Sequence, residues 1–327
     1  MPSIINAGGE LDSLTPLTAG VEESTLGPGS RFDTEYSRCS IFLTTANGSN
    51  TGIIAGNFSN VNNLGLQWFY YLPSTPFLAA GRILCSFTDG LNTVMRIRQQ
   101  ANPGNVWTMQ YFDSVSGNFI SVGNTFALQG AGLVQFTVFF SGNNFQIYQQ
   151  GSLLVAEGSS PINCNSFDSA QINGYDNNYR VSQVIVTDGL DPRSLRVKTC
   201  PPTGNGAVQN WSGDYTDIDE IITDDADFIE SATGSETSTF TKDAITLGTG
   251  AIIGFCVGAR AAKALSGPQN LRGVIRIGGT NYPLPDYPNL DTVATGNFSL
   301  LEINPVTGSI FTVAEFNAAE FGWESVA

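Results

Sequence analysis

The sequence predicts an all-β protein: two antiparallel β-sandwich (jelly-roll) domains preceded by an extended N-terminal arm. Three observations lead there. Short runs of β-branched and aromatic residues alternate with Gly/Asn/Asp/Ser turns. The 21 Phe, 10 Tyr and 4 Trp suit sheet packing, and the N-terminal two thirds shows no convincing 3.6-residue hydrophobic period. With 327 residues there is chain enough for two cores.

Residues 1–28, rich in Gly, Ser, Thr, Pro and Leu without a period, read as the arm. Over 29–195 strands are expected at Cys39–Thr44, Leu66–Leu72, Gly81–Thr88, Thr93–Gln99, Val106–Phe112, Gly132–Phe140, Phe145–Gln149 and Val181–Val186. Gly117-Asn118 and Ser141-Gly142-Asn143-Asn144 carry hairpin-turn chemistry. Strict alternation in Val181–Val186 puts Ser182, Val184 and Val186 on one face and Val181, Gln183 and Ile185 on the other.

Pro201-Pro202 and Gly204-Asn205-Gly206 read as a turn at the domain junction. The second domain, 196–327, then offers strands at Ser238–Thr241, Ala251–Ala261, Leu271–Ile277 and Phe298–Ile303. Ala and Lys near the end of Ala251–Leu265 would suit a helix. Ile253, Phe255, Val257 and Ala259 alternate with Gly254, Cys256, Gly258 and Arg260, however, which favours a strand. Thr312–Ala319 predicts one or two helical turns before a last strand ending at Val326.

Charged residues make up only 13%, so Asn, Ser, Thr, Gln and Gly must solvate most of the surface. Fourteen basic against 29 acidic side chains leave a net charge of −15. That balance argues against nucleic acid and anionic membrane as partners. The opening MPSIINAGGELDSLTP has neither the basic nor the apolar region of a secretory signal. The longest apolar run, Ala251–Ala262, is interrupted by Gly254, Gly258 and Arg260 and is too short to span a bilayer.

Chemistry-bearing patterns are sparse. The chain has no histidine, which removes His-based triads, H-E-x-x-H zinc sites and imidazole acid–base work. Cys39, Cys85, Cys164, Cys200 and Cys256 form no C-x-x-C pair. They are expected as buried strand thiols, with oxidative stapling as the alternative. Gly248-Thr-Gly250-Ala-Ile-Ile-Gly254 has one residue too many for a dinucleotide loop and no βαβ context.

Asp217, Asp219 and Glu220 are the best paired-carboxylate candidate for glycoside cleavage, with a solvated acidic edge as the plainer reading. Asp176-Asn177-Asn178 and Asp224-Asp225-Ala226-Asp227 supply oxygen ligands of the kind calcium takes, without a fixed loop spacing. Trp68-Phe69-Tyr70-Tyr71 and Trp107 to Phe112 hold rings able to stack on sugars, but alternate residues of such strands must fill the core, so most of these rings are expected inside. No residue is assigned as catalytic, cofactor-binding or metal-binding.

Several segments carry a resemblance: VSQVIVTDGLDPRSLRV (Val181–Val197), PPTGNGAVQNWSGDYTDIDEIITDDADFIES (Pro201–Ser231), STFT (Ser238–Thr241), GARAAKALSG (Gly258–Gly267) and INPVTGSIFTVAEFNAAEFGW (Ile303–Trp323). In this order they resemble a module of tailed-bacteriophage structural proteins, covering roughly 145 residues. Phe311-Thr312 departs from the Trp-Thr that the module tends to carry. Val134–Val155 is similar, more weakly, to concanavalin A-like or laminin-G-like sandwiches.

The resemblance implies a virion location and a lectin-type sandwich over about 28–190, and the missing secretory signal leads us to expect assembly in the host cytoplasm. With the sparse chemistry and the low-charge polar surface, it leads us to expect a non-enzymatic structural component, such as a collar or neck part, a capsid decoration or a fibre-like appendage. Partners would be other virion proteins and further copies of the chain, a homotrimer being how such appendages are usually built. An adhesin reading host surface glycans is the first alternative and a polysaccharide-cleaving enzyme the second.

Overall fold

The computed structural model describes residues 3–8, 15–16, 21–25, 39–43, 52–58, 61, 63–72, 81–90, 92–100, 105–128, 132–159, 167–173, 179–220, 224–247 and 250–327. The protein is all-β, built of antiparallel sheets. It divides into two units, Met1–Lys198 and Thr199–Ala327.

The first unit contains β1 (Ser3–Gly8), β2 (Thr15–Pro16), β3 (Val21–Thr25), β4 (Cys39–Leu43), β5 (Gly52–Asn57), β6 (Leu64–Leu72), β7 (Ile83–Asp89) and β8 (Asn92–Gln99). After these come β9 (Trp107–Asp113), β10 (Asn118–Phe126), β11 (Gly132–Ser141), β12 (Asn144–Gln149), β13 (Ser152–Ser159), β14 (Ser169–Asn173) and β15 (Tyr179–Asp188). One sheet runs β13-β12-β11-β6-β15-β4-β3, with β1 also on β15; the other runs β10-β9-β8-β7-β14-β5-β2. Of the residues expected as an arm, those described are strands within these sheets: β1 pairs with β15, β2 with β5 and β3 with β4.

Period-two patterning makes the core. Leu66, Trp68 and Tyr70 of β6 and Val134, Phe136 and Val138 of β11 meet Phe87, Met95, Ile97, Met109 and Ile172 of the facing sheet. The Phe87 ring lies edge-on to Phe140 at 4.8 Å and stacks on Phe167 at 5.3 Å. Each such side chain contributes about 1.5–3 kcal/mol of transfer free energy. The Ser141–Asn144 hairpin closes on two residues, with Gly142 at φ 58° supplying the left-handed first position.

The alternation expected for Val181–Val186 fails at Gln183. That residue adopts φ 49° where the register of β15 against β6 slips. The extra residue resets the pleat, so Val181, Val184 and Val186 all enter the core.

The second unit contains β16 (Pro202–Gln209), β17 (Thr237–Lys242), β18 (Phe255–Ala261), β19 (Asn270–Ile277), β20 (Thr280–Tyr287), β21 (Thr295–Leu301), α1 (Val313–Ala318) and β22 (Glu320–Val326). A five-stranded sheet runs β16-β17-β22-β19-β20, and β18 pairs with β21 in a separate ribbon. Phe255 on that ribbon packs edge-on against Phe311, Phe316 and Phe321, with centroids 5.0–5.5 Å apart. The expected helix forms. Its N-cap Thr312 and Glu315 complete a reciprocal capping box.

Pro202–Gln209, read from its glycines as a turn, is instead a strand. The glycines serve close approach. A Cβ on Gly206 would sit 2.5 Å from both Thr239 Oγ1 and Glu320 Oε2. Bare backbone there lets the Glu320 carboxylate accept hydrogen bonds from the Ala207 N–H (2.9 Å) and the Thr239 hydroxyl (2.6 Å).

Candidate functional site

The two sheets of the first unit each turn one face away from the core, and these faces differ. On the sheet containing β6 and β11, Gln67, Gln135, Thr137 and Thr187 point outward yet are only 0, 6, 1 and 0% exposed. The segment from Leu190 to Val197 covers them. Gln135 Nε2 donates to Gln67 Oε1 (2.6 Å) and to the Arg193 carbonyl (2.7 Å), while Gln67 Nε2 donates to the Leu195 carbonyl (3.1 Å).

Asp191 caps a short 3-10 turn over Pro192–Ser194 and pairs with Arg193. Burial opposes the Asp191 charge, but the Arg193 hydrogen bonds prevail and hold its carboxyl below the usual range. The Arg193 guanidinium lies 3.9 Å over the Tyr148 ring, and that of Arg196 lies 4.7 Å over Phe69. Pro192 occupies the space where Gly65 lacks a side chain. This face is closed by the chain's own strap.

The outer face of the seven-stranded sheet carries a polar row. Gln171 of β14, Ser86 of β7, Arg96 of β8, Gln110 of β9 and Ser121 of β10 follow one another in register. Ser86 Oγ donates to Gln171 Oε1 (3.4 Å), Arg96 Nε to Gln110 Oε1 (3.0 Å), and Gln110 Nε2 to Ser121 Oγ (3.5 Å). Arg98 stands two residues along on the same face, opposite Thr108.

Two rings border the row. The Arg96 guanidinium lies 3.5 Å above Phe119, whose ring meets Phe112 at 5.3 Å. Arg96, Arg98, Gln110, Phe112, Phe119 and Gln171 are half-buried and Ser121 is exposed, while Ser86 and Thr108 on the same face are buried. Partial burial, and after it the charge of Arg98, push the Arg96 guanidinium down to about 10. Planar amides, a hydroxyl and guanidinium groups arrayed on rigid strands can hold a polyhydroxylated ligand by several hydrogen bonds at once.

The residues singled out from sequence fall elsewhere. Trp68, Tyr70 and Trp107 are core residues, Phe69 lies under Arg196, and Tyr111 packs against the core; Phe112 alone of the described rings in those runs reaches the polar face. Asp217 lies in a 3-10 turn, not a strand, and its carboxylate accepts the Asp214 N–H in a capping box (2.8 Å), so it presents no shared face with Asp219. Glu220 follows in irregular chain.

Asp224 closes a local turn by accepting the Ala226 N–H, and Asp225 forms a bidentate pair with Arg260 (2.6 and 3.0 Å). Among the described residues no group of three His, Cys, Asp or Glu is placed to hold a metal. Asp176-Asn177-Asn178 lies outside the described residues, as do 248–249 of the glycine run. Cys85, Cys200 and Cys256 are not joined in disulfides, and burial pushes the Cys85 thiol up. Cys164 and the side chain of Cys39 also lie outside the described residues.

Sequence reading passed over Arg96, Arg98 and Gln110. A signal was present: in Met95-Arg96-Ile97-Arg98 the apolar residues alternate with two cations, which must then share the face turned from the core.

No protein family and no curated protein matches the chain. Solved structures with a similar course include a carbohydrate esterase of the Shiga toxin-encoding bacteriophage phi24B (12% identity, TM-score 0.40, 58% of this chain and 100% of that one). The CBM2 module of the evolved Dit of Lactobacillus casei BL23 phage J-1 aligns at 10% identity and TM-score 0.37, over 58% of this chain and 97% of that one. The carbohydrate-binding module CBM66 of Bacillus subtilis aligns at 11% and 0.35, over 54% and 94%. Likeness at this level says nothing of ligand or activity.

Proposed function

We propose that the protein is a non-enzymatic structural component exposed on a tailed-phage virion, and that its first unit holds carbohydrate on the outer face of the seven-stranded sheet. The observation that carries this reading is the row Gln171, Ser86, Arg96, Gln110 and Ser121, five polar side chains in register across five strands. Sugar hydroxyls both donate and accept, and amides, hydroxyls and guanidinium groups match them. The Phe112 and Phe119 rings border the row and offer apolar surface to a sugar face.

The virion assignment rests on the resemblance of Val181–Trp323 to the phage module. The residues that carry it do folding work here: Asp191, Pro192 and Arg193 build the strap, and Thr312 and Glu315 cap the helix.

Immunogold microscopy of purified particles, with antibody against the chain, tests the location. Label on the particle supports the reading, and accessible antigen without label overturns it. A glycan array probed with the purified protein tests the ligand class; failure to retain any glycan overturns the carbohydrate assignment.

A further inference from the structure

The row holds more positive charge than neutral sugars require. In a chain with 29 acidic and 14 basic side chains, Arg96 and Arg98 stand on the same face of β8. Arg193, Arg260, Arg272 and Arg276 each have a carboxylate within 4 Å. Arg96 and Arg98 have none among the described residues.

Arg96 is held from two sides. Its Nε donates to Gln110 and one face of its guanidinium rests on Phe119, while its two terminal amino groups find no acceptor among the described residues. Arg98 is anchored by its Nε on the Gly81 carbonyl at 3.4 Å. Two neighbouring like charges, both half out of water, are costly without an anion, and positioning them on rigid strands removes most of the entropy cost of binding one.

We infer that this face selects acidic glycans, placing a carboxylate or phosphate of the sugar against Arg96 and Arg98 while Gln110, Ser121 and Gln171, the last held by the buried Ser86, read the neighbouring hydroxyls. The inference rests on the carbohydrate-binding reading and names its ligand class. Guanidinium forks suit both anions, since each offers two oxygens to parallel N–H donors.

The test is an array of bacterial surface glycans in matched sets: uronate-bearing, phosphate-bearing, and the same chains with the acid reduced or removed. Affinities of hits are then measured for the full-length wild type, Arg96→Gln, Arg98→Gln and Arg96→Lys. Acidic members should bind, each glutamine variant should weaken them about tenfold or more, and Arg96→Lys should retain part of the affinity. Raising ionic strength should weaken wild-type binding to them.

Which acidic set binds identifies the anion. Binding of neutral members only, unchanged in the glutamine variants, overturns the inference and leaves the carbohydrate reading standing. No binding anywhere on the array overturns both. Should Arg96→Gln fail to fold by circular dichroism, Arg98→Gln and the salt dependence of the wild type decide the matter.

Discussion

Gly322→Ala is expected to destabilise the second unit by about 2–4.6 kcal/mol. Gly322 lies on β22, the middle strand of the five-stranded sheet, opposite Thr239 of β17 and Val274 of β19. A methyl group there would overlap the Ser238 carbonyl oxygen and sit 2.8 Å from both the Ser238 carbonyl carbon and the Thr239 Cα. These are backbone atoms, so no rotamer change clears them. The carbonyl oxygen, only 1.9 Å from the added methyl, sets the shift: restoring van der Waals contact at ~3.4 Å parts the strands by roughly 1.5 Å. That stretches a ladder bond of about 2.9 Å to about 4.4 Å, which breaks it.

Losing about two ladder bonds at ~1 kcal/mol each, with overpacking of about 1–3 kcal/mol, sums to about 3–5 kcal/mol before the unfolded chain is counted. Lower chain entropy in the unfolded state offsets about 0.4–1 kcal/mol of it. The assay is urea unfolding followed by tryptophan fluorescence. Trp211 and Trp323 report on the second unit, while Trp68 and Trp107 report on the first. Gly250→Ala is the control, since among the described residues a Cβ there meets nothing nearer than Leu247 Cβ at 3.7 Å. A loss below about 1 kcal/mol in Gly322→Ala, or equal losses in both variants, would refute the steric argument.

Three further outcomes are expected. Lys242 Nζ donates to the Phe316 carbonyl (2.8 Å) and lies over the Phe316 and Phe321 rings, and burial pushes it down to about 8 from 10.5. The unfolded chain therefore binds more protons between these values, so second-unit stability should rise with pH from 8 to 10.5. The rise should vanish in Lys242→Met, as urea midpoints across that window will show. Thr312→Ala removes the side-chain half of the α1 capping box and should cost about 1 kcal/mol in the same assay; an unchanged midpoint would deny the cap its role. Gln135→Leu removes the buried donor that now serves both the Arg193 carbonyl and Gln67 Oε1, leaving them the longer contacts from Arg196 (3.4 Å) and Thr137 (3.5 Å), and should cost about 1–3 kcal/mol in all. Limited trypsin digestion should then cut faster at Arg193 and Arg196, and an unchanged cleavage rate would mean that the strap is held by other contacts.

Where local chemistry decides structure, the sequence was legible. The Ser141–Asn144 hairpin, the helix after Thr312 and the last strand ending at Val326 each follow from a turn glycine, a capping pair or simple alternation. Local rules misled where a distant neighbour set the geometry. Gly204 and Gly206 look like turn residues, yet β17 and Glu320 demand bare backbone beside them, and Gln183 looks like one more alternating residue, yet pairing with β6 makes it a bulge. The candidate site shows the same division: the Arg96 and Arg98 alternation was on view, but not the partners that give it meaning.

Composition and period two determined by themselves that the chain is an all-β protein built of antiparallel sandwiches. Its hydrophobic residues recur at the spacing only strands can bury on one face. The sequence also determined that His-based chemistry is absent, since no histidine exists to perform it. Tertiary structure alone decided which outward face is available. Both sheets send polar side chains outward, and nothing local distinguishes Gln67 and Gln135 from Gln110 and Gln171. The difference is that Leu190–Val197 folds back over the first pair and satisfies their hydrogen bonds, while the second pair lies in register with Arg96, Gln110 from the next strand and Gln171 from one far along the chain. Cross-strand register is a long-range property, fixed by how the whole sheet pairs, and it turns five scattered polar residues into one surface.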